Sequence, residues 1–114
     1  MSVLKPFEAS AIRILTKEVL APELCEKIIA EAELMNLEHT GVGYYLTLRH
    51  NALPLFGGAC DAPCVMGSSG GLDTGFIVFL GDRKLILECH TWGDVDELPV
   101  DYREREVELS DPYA

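Results

Sequence analysis

The segment Gly75–Gly93 constrains the fold more than any other part of this chain. Two runs rich in β-branched and aromatic residues, Phe76–Leu80 and Leu85–Thr91, lie on either side of Gly81-Asp82-Arg83. Such runs around a short polar turn predict a β-hairpin. The chain is therefore expected to contain an antiparallel sheet built around this segment.

The second strand of the predicted hairpin carries the densest set of reactive side chains. Because side chains alternate between the faces of a strand, one face holds Leu85, Leu87 and Cys89, and the other holds Ile86, Glu88, His90 and Trp92. The first face is predicted to be core. The mixed second face has three interpretations: a catalytic or metal cluster, a partner-binding surface, or a half-buried carboxylate and imidazole satisfied by local hydrogen bonds.

Charge is the second strong constraint. The 114 residues hold 19 acids and 9 bases, for a net charge of −10, and 48% are hydrophobic, which suits one domain spanning residues 1–114. Eight acids but only Arg103 and Arg105 follow Gly93. Such a field repels nucleic acid and anionic membranes and attracts a basic protein. The ordinary alternative is that the acids serve only to keep a small protein soluble.

The N-terminus lacks the basic start and apolar run of a signal peptide, and no run approaches the ~18 apolar residues that span a bilayer. The expected compartment is the cytoplasm. The four cysteines are too few and too irregularly spaced for a disulfide framework, so we expect free thiols.

Periodicity predicts the remaining elements. Alternation predicts a first strand over Ser10–Val19, and apolar spacing of three and four residues predicts a helix over Pro22–Leu37. Further strands are expected at Tyr44–His50, at Pro63–Met66 as a short edge strand, and at Glu104–Leu109 as a final charged edge strand. The predicted fold class is α+β, with one main helix packed on an antiparallel sheet of four to six strands.

Two constellations suggest chemistry, and each has an ordinary alternative. Cys60 and Cys64 with Cys89 and His90 resemble zinc ligands, but adjacent residues of a strand point to opposite faces. The run Gly67–Gly71 could cradle a phosphate, but it lacks a Gly-Lys-Ser/Thr sequence and a following helix pattern, so a loop between strands is favoured.

Neither constellation implies a cofactor or a metal. A cysteine nucleophile would need a nearby base and a lowered pKa, whereas acids surround Cys60 and Cys64 in sequence. We therefore expect a protein that is not an enzyme.

With one helix to cover it, the predicted sheet has one uncovered face, which would expose apolar and aromatic residues, among them some of Ile77, Phe79, Ile86 and Trp92. Uncovered apolar and aromatic residues mark interfaces. A foreign protein or a second copy of the chain, giving a homodimer, could cover this face.

The segments Gly75-Phe76-x-Val78-Phe79, Leu85-x-Leu87-Glu88-Cys89 and Trp92-Gly93, in a small acidic α+β chain, resemble immunity proteins of bacterial polymorphic and contact-dependent toxin systems. The resemblance implies a non-enzymatic inhibitor that binds a toxin domain, often a basic nuclease, and blocks its active site with acidic side chains. It transfers no contact residue position by position.

Physical reasoning favours an acidic surface for steering and aromatic residues as anchors. The candidate steering residues are Asp94, Asp96, Glu97, Asp101 and Glu104, and the candidate anchors are Trp92 and Tyr102. The alternatives are a self-associating structural domain of a bacterial family of uncharacterised proteins and a small Cys/His metal-binding or enzymatic protein.

Overall fold

The computed structural model describes residues 3–41, 43–69, 72–93, 103 and 106–110. Within them two helices are followed by six strands. The helices are α1 (Pro6–Leu15) and α2 (Pro22–Glu31), and the strands are β1 (Glu33–His39), β2 (Gly43–Arg49), β3 (Ala59–Ser69), β4 (Leu72–Gly81), β5 (Lys84–Gly93) and β6 (Glu108–Ser110). The strands form one antiparallel sheet in the order β1-β2-β5-β4-β3-β6.

The core lies between the two helices and one face of the sheet. Leu46, Leu87 and Val78 lie side by side on β2, β5 and β4, and none of them is exposed. Ile12 of α1 and Ile28 of α2, also fully buried, belong to the same cluster. Burial of this apolar surface is the main force holding helices and sheet together.

The predicted first strand is wrong, because residues 6–15 form α1. Pro6 occupies the first turn, where its missing N–H costs nothing, and Glu8 closes a capping box with the backbone N–H of Lys5. Phe7, Ala11 and Leu15 are buried at helical spacing. This spacing overrides the strand-like alternation of the β-branched residues, so the described part of the chain has two helices of ten residues, not one main helix.

The predicted helix over Pro22–Leu37 is right at its start and wrong at its end. The chain leaves the helical conformation at Ala32, where ψ is 144°, and continues as β1. Leu34 and Leu37 both pack partly buried against the core, and a bulge between Leu34 and Asn36 lets strand pairing keep both on that side.

The glycine- and serine-rich region was expected to be a loop with a short edge strand at residues 63–66. Instead, β3 runs from Ala59 to Ser69 and lies inside the sheet between β4 and β6. Gly67 accounts for part of this outcome, because a Cβ there would lie 2.8 Å from Val107 and 3.2 Å from the Phe76 ring.

The hairpin and the strand at residues 44–50 are confirmed, and the C-terminal strand is confirmed in part. β4 and β5 form the hairpin, and Asp82 and Arg83 turn with φ of 52° and 58°. The strand predicted at residues 44–50 is β2. The strand predicted over Glu104–Leu109 is shorter: β6 begins at Glu108 at the sheet edge, residues 106 and 107 are not part of it, and residues 104 and 105 lie outside the described residues. The fold is α+β and mostly sheet.

Candidate protein-binding surface

The second face of the sheet is the candidate binding surface. The buried residues of both helices belong to the core on the opposite face, and within the described chain no helix packs on this one. We call it the open face and define it by the side chains of Tyr45, Thr47, Ile77, Phe79, Ile86, Glu88 and His90. Its residues are half-buried or exposed, as expected from the alternation along β4 and β5.

Two adjacent rows form the centre of the open face. In one, Glu88 lies between Tyr45 on β2 and Ile77 on β4; in the next, Ile86 lies between Thr47 and Phe79. A half-buried carboxylate bordered by a phenol ring and aliphatic groups can accept a hydrogen bond from a basic side chain while its neighbours make apolar contacts.

Charge changes along the strands. At one end of the open face Arg49 and Lys84 are register partners, with Glu33 beside Arg49 on β1. At the other end Asp73 and Glu108 each pair with Ser68. The end of the sheet at Asp73 is therefore the more acidic one.

The structure places one of the sequence-predicted contact residues. Trp92 lies in β5, next to the acidic end of the open face, and its register partner is Asp73. The other six fall outside the described residues: Asp94, Asp96, Glu97, Asp101, Tyr102 and Glu104. Arg103, which lies among them in sequence, is described.

Arg103 belongs to a buried cluster that sequence reasoning missed. Its Nε donates to Glu8 Oε2 at 2.7 Å and its terminal nitrogen donates to Oε1 at 2.8 Å. The Tyr44 hydroxyl donates to Oε2 at 2.5 Å, and the Lys5 backbone N–H donates to Oε1 at 2.8 Å. Glu8 is completely buried, so each carboxylate oxygen is satisfied by two donors.

The electrostatics of this cluster follow from burial. The Glu8 carboxylate raises the pKa of the Arg103 guanidinium, which keeps its charge. Desolvation raises the pKa of the Tyr44 phenol, and the charge of Glu8 raises it further. Desolvation also raises the pKa of the neighbouring Cys89 thiol to about 12. Arg103, Tyr44 and Cys89 therefore keep their protons near neutral pH, and we infer that the cluster stabilises the fold.

Two sequence signals pointed toward this cluster. Pro6 followed by Glu8 is a helix-start pattern, and Glu8 lies one turn before Ile12 on the buried side of α1. A glutamate on a buried helix face needs a cationic partner, because an unpaired charge is costly to bury. The sequence does not show which of nine bases supplies it.

The cysteines are dispersed. Cys25 and Cys89 are buried free thiols, and burial raises the pKa of the Cys25 thiol as well. Cys60 is half-buried on β3, and the Cys64 side chain lies outside the described residues. Cys89 faces the core while His90 is exposed on the open face. Among the described side chains, no three His, Cys, Asp or Glu groups are arranged to hold a metal ion.

In the described part of the chain, neither helix has the length and apolar character needed to cross a membrane. Comparison of the chain with models of protein families, with curated proteins and with solved structures finds no significant match.

Proposed function

We propose that this chain is a non-enzymatic, acidic protein-binding module whose open face binds a partner with a basic surface. In its biological setting it would act as an immunity protein, neutralising a cognate basic toxin such as a nuclease by direct binding. The observation that carries the proposal is the open face itself, where a carboxylate lies among apolar and aromatic side chains that no described helix covers.

Two physical arguments support this choice. A net charge of −10 accelerates encounter with a basic partner. After encounter, the row formed by Tyr45, Glu88 and Ile77 offers apolar area around one carboxylate, which becomes desolvated when a partner covers it. An Arg or Lys placed there gains a charge-assisted hydrogen bond in a protected environment.

The test begins with capture of a partner by the tagged protein from lysate of its source cells, washed at low and then at high salt. The captured protein is identified by mass spectrometry and purified, and binding is measured with wild type and with Glu88→Lys. The matched control is Glu23→Lys, the same change at an exposed position of α2. Both variants carry the same net charge, so only position differs.

We expect the captured protein to be basic. Its affinity for this chain should fall at least tenfold with Glu88→Lys and much less with Glu23→Lys. Tyr45→Ala provides a second variant in case Glu88→Lys fails to fold, since Tyr45 is 36% exposed. Equal effects of both lysine variants, together with no effect of Tyr45→Ala, would remove the open face from the interface. Inhibition of a purified toxin activity by the wild-type chain would then test the immunity role.

A further inference from the structure

The loop between β2 and β3 presents an unusual apolar protrusion. Among the large hydrophobic side chains that the structure describes, Phe56 has the largest exposed fraction, 88%, and its neighbour Leu55 is 51% exposed. A phenylalanine in water forgoes about 2 kcal/mol of burial, so covering this side chain with another molecule would be favourable.

The protrusion is held in place by backbone hydrogen bonds. The N–H groups of Leu80 and Asp82 donate to the carbonyls of Gly58 and Leu55 at 2.9 and 2.8 Å. Arg83 donates from its backbone to Pro54 at 3.0 Å and from its side chain to Leu53 at 2.7 Å. A loop fixed in this way loses little conformational entropy when it binds.

A depression that could receive such a side chain lies next to the loop. It has a volume of about 240 Å³ and is lined by Phe79, Leu80, Gly81, Asp82, Lys84 and Ile86. Gly57 lies against Leu80, since a Cβ at Gly57 would be 2.7 Å from the Leu80 Cβ. The protrusion and the depression therefore border each other at the turn of the β4–β5 hairpin.

The charges around this turn are balanced, unlike those of the chain as a whole. Among the described side chains, three bases and three acids lie here: Arg49, Arg83 and Lys84, with Glu31, Glu33 and Asp82. A two-fold axis sets a surface against its own copy, so a balanced surface can place unlike charges opposite each other. A two-fold axis at the other end of the sheet would instead place Asp73 and Glu108 of one copy against the same acids of the second copy.

We propose that a second copy of this chain covers this surface, with Phe56 of each copy inserted into the partner's depression between Phe79 and Ile86. The dimer is closed, because each copy supplies one protrusion and one depression to the same contact. It places the Asp73 ends of the two sheets far apart. On the open face the contact covers the row that contains Phe79 and Ile86 and leaves Tyr45 and Glu88 in the adjacent row accessible, so this inference does not rest on the proposed function.

Sedimentation velocity of the full chain between 1 and 200 μM at physiological salt tests the proposal. The wild type should change from monomer to dimer within this range. Phe56→Asp should raise the dissociation constant by about a hundredfold or more, since each dimer contains the contact twice. Val19→Asp, which also replaces an exposed apolar side chain by aspartate but in the α1–α2 turn, should leave the constant within about threefold.

A wild type that stays monomeric at 200 μM would overturn the proposal, and so would a dimer that Phe56→Asp leaves intact. Phe56→Ser provides a variant without added charge, and thermal melting checks that all variants are folded. Hydrogen exchange adds a local readout: amides of residues 79–86 should gain protection at dimer-forming concentrations in wild type but not in Phe56→Asp. Glu88→Lys should leave self-association unchanged, which separates this test from that of the proposed function.

Discussion

Arg103 and Glu8 are 95 residues apart in the chain, yet the Arg103 guanidinium donates two hydrogen bonds to the Glu8 carboxylate, at 2.7 and 2.8 Å. The contact joins the start of the first helix to a residue within the acidic C-terminal region. We expect this contact to affect the free energy of unfolding strongly because it is buried: the Glu8 side chain is 0% exposed and that of Arg103 is 12% exposed. Removing either partner leaves a charge in the protein interior.

Arg103→Met should therefore lower the free energy of unfolding by about 3 kcal/mol, measured by urea denaturation at pH 7. Arg103→Lys should recover only part of the loss, because an ammonium group cannot bind both carboxylate oxygens in the same fork geometry. The control is Arg13→Met, which removes a similar two-bond contact with Glu26 at an exposed position. We expect little change there, and equal losses in the two methionine variants would contradict the argument.

Stability should fall as the pH rises above about 9. The thiol of Cys89 has a pKa of about 12 in the native protein against 9.0 for an unperturbed thiol, and burial raises the pKa of the Tyr44 phenol above its ordinary value as well. Below pH 9 the thiol and the phenol are protonated in both the native and the unfolded state, so their contribution to the free energy of unfolding does not change with pH. Above it the unfolded chain ionises while the native protein does not, so the unfolded state gains stability up to about pH 12.

Urea denaturation at pH 7, 9 and 10.5 measures this slope. Cys89→Ala and Tyr44→Phe should each make it shallower, even though each also lowers stability at pH 7, by about 1–3 kcal/mol for the lost Tyr44 donor. A slope unchanged in both variants would show that other groups cause the alkaline loss.

Gly43→Ala should be among the most damaging small substitutions in the chain. A Cβ at this position would lie 1.7 Å from the carbonyl oxygen of Cys89 and 2.8 Å from its carbonyl carbon, so β2 and β5 would have to separate. We expect a loss of more than about 3 kcal/mol, measured by thermal and urea denaturation. Wild-type stability in this variant would mean that the two strands can shift apart at low cost.

The acidic C-terminal region gives a kinetic prediction for the proposed partner. Reversing Asp96 and Glu97 together to lysine should slow association by about tenfold at low salt and reduce its salt dependence, because steering acts on the encounter. The control is Glu18→Lys with Glu23→Lys, which changes the net charge equally on the exposed helical side. Stopped-flow measurements that give the same rates for both double variants would exclude these two residues from steering.

Sequence reasoning located the β4–β5 hairpin because its two signals agree, with β-branched runs on both sides of a polar turn. It misread residues 10–15, where Ile12 and Ile14 alternate as in a strand while Phe7, Ala11 and Leu15 follow helical spacing. The helix predicted from Pro22 extends to Leu37, through residues that form β1, and only pairing with β2 shows where the helix stops.

The candidate surface, too, could be predicted from the sequence only in part. The uncovered sheet face could be predicted because it needs only alternation and a helical layer on one side. The partner of Glu8 could not, since nothing local in the chain connects residue 8 with residue 103. The apolar exposure of Phe56 depends on how the loop is bonded to residues 80–83, which becomes visible only after β4 and β5 are paired.

The position of β5 in the sheet sets the order in which this protein can fold during synthesis. β5 lies between β2 and β4, and its pairing of Lys84 with Arg49 and of His90 with Gly43 spans all of β3 and β4. While the ribosome has released only the first half of the chain, both helices and the β1–β2 hairpin lack the strand that completes their core. Because such long-range pairing forms slowly, we expect the nascent chain to remain dependent on chaperones until β5 has emerged.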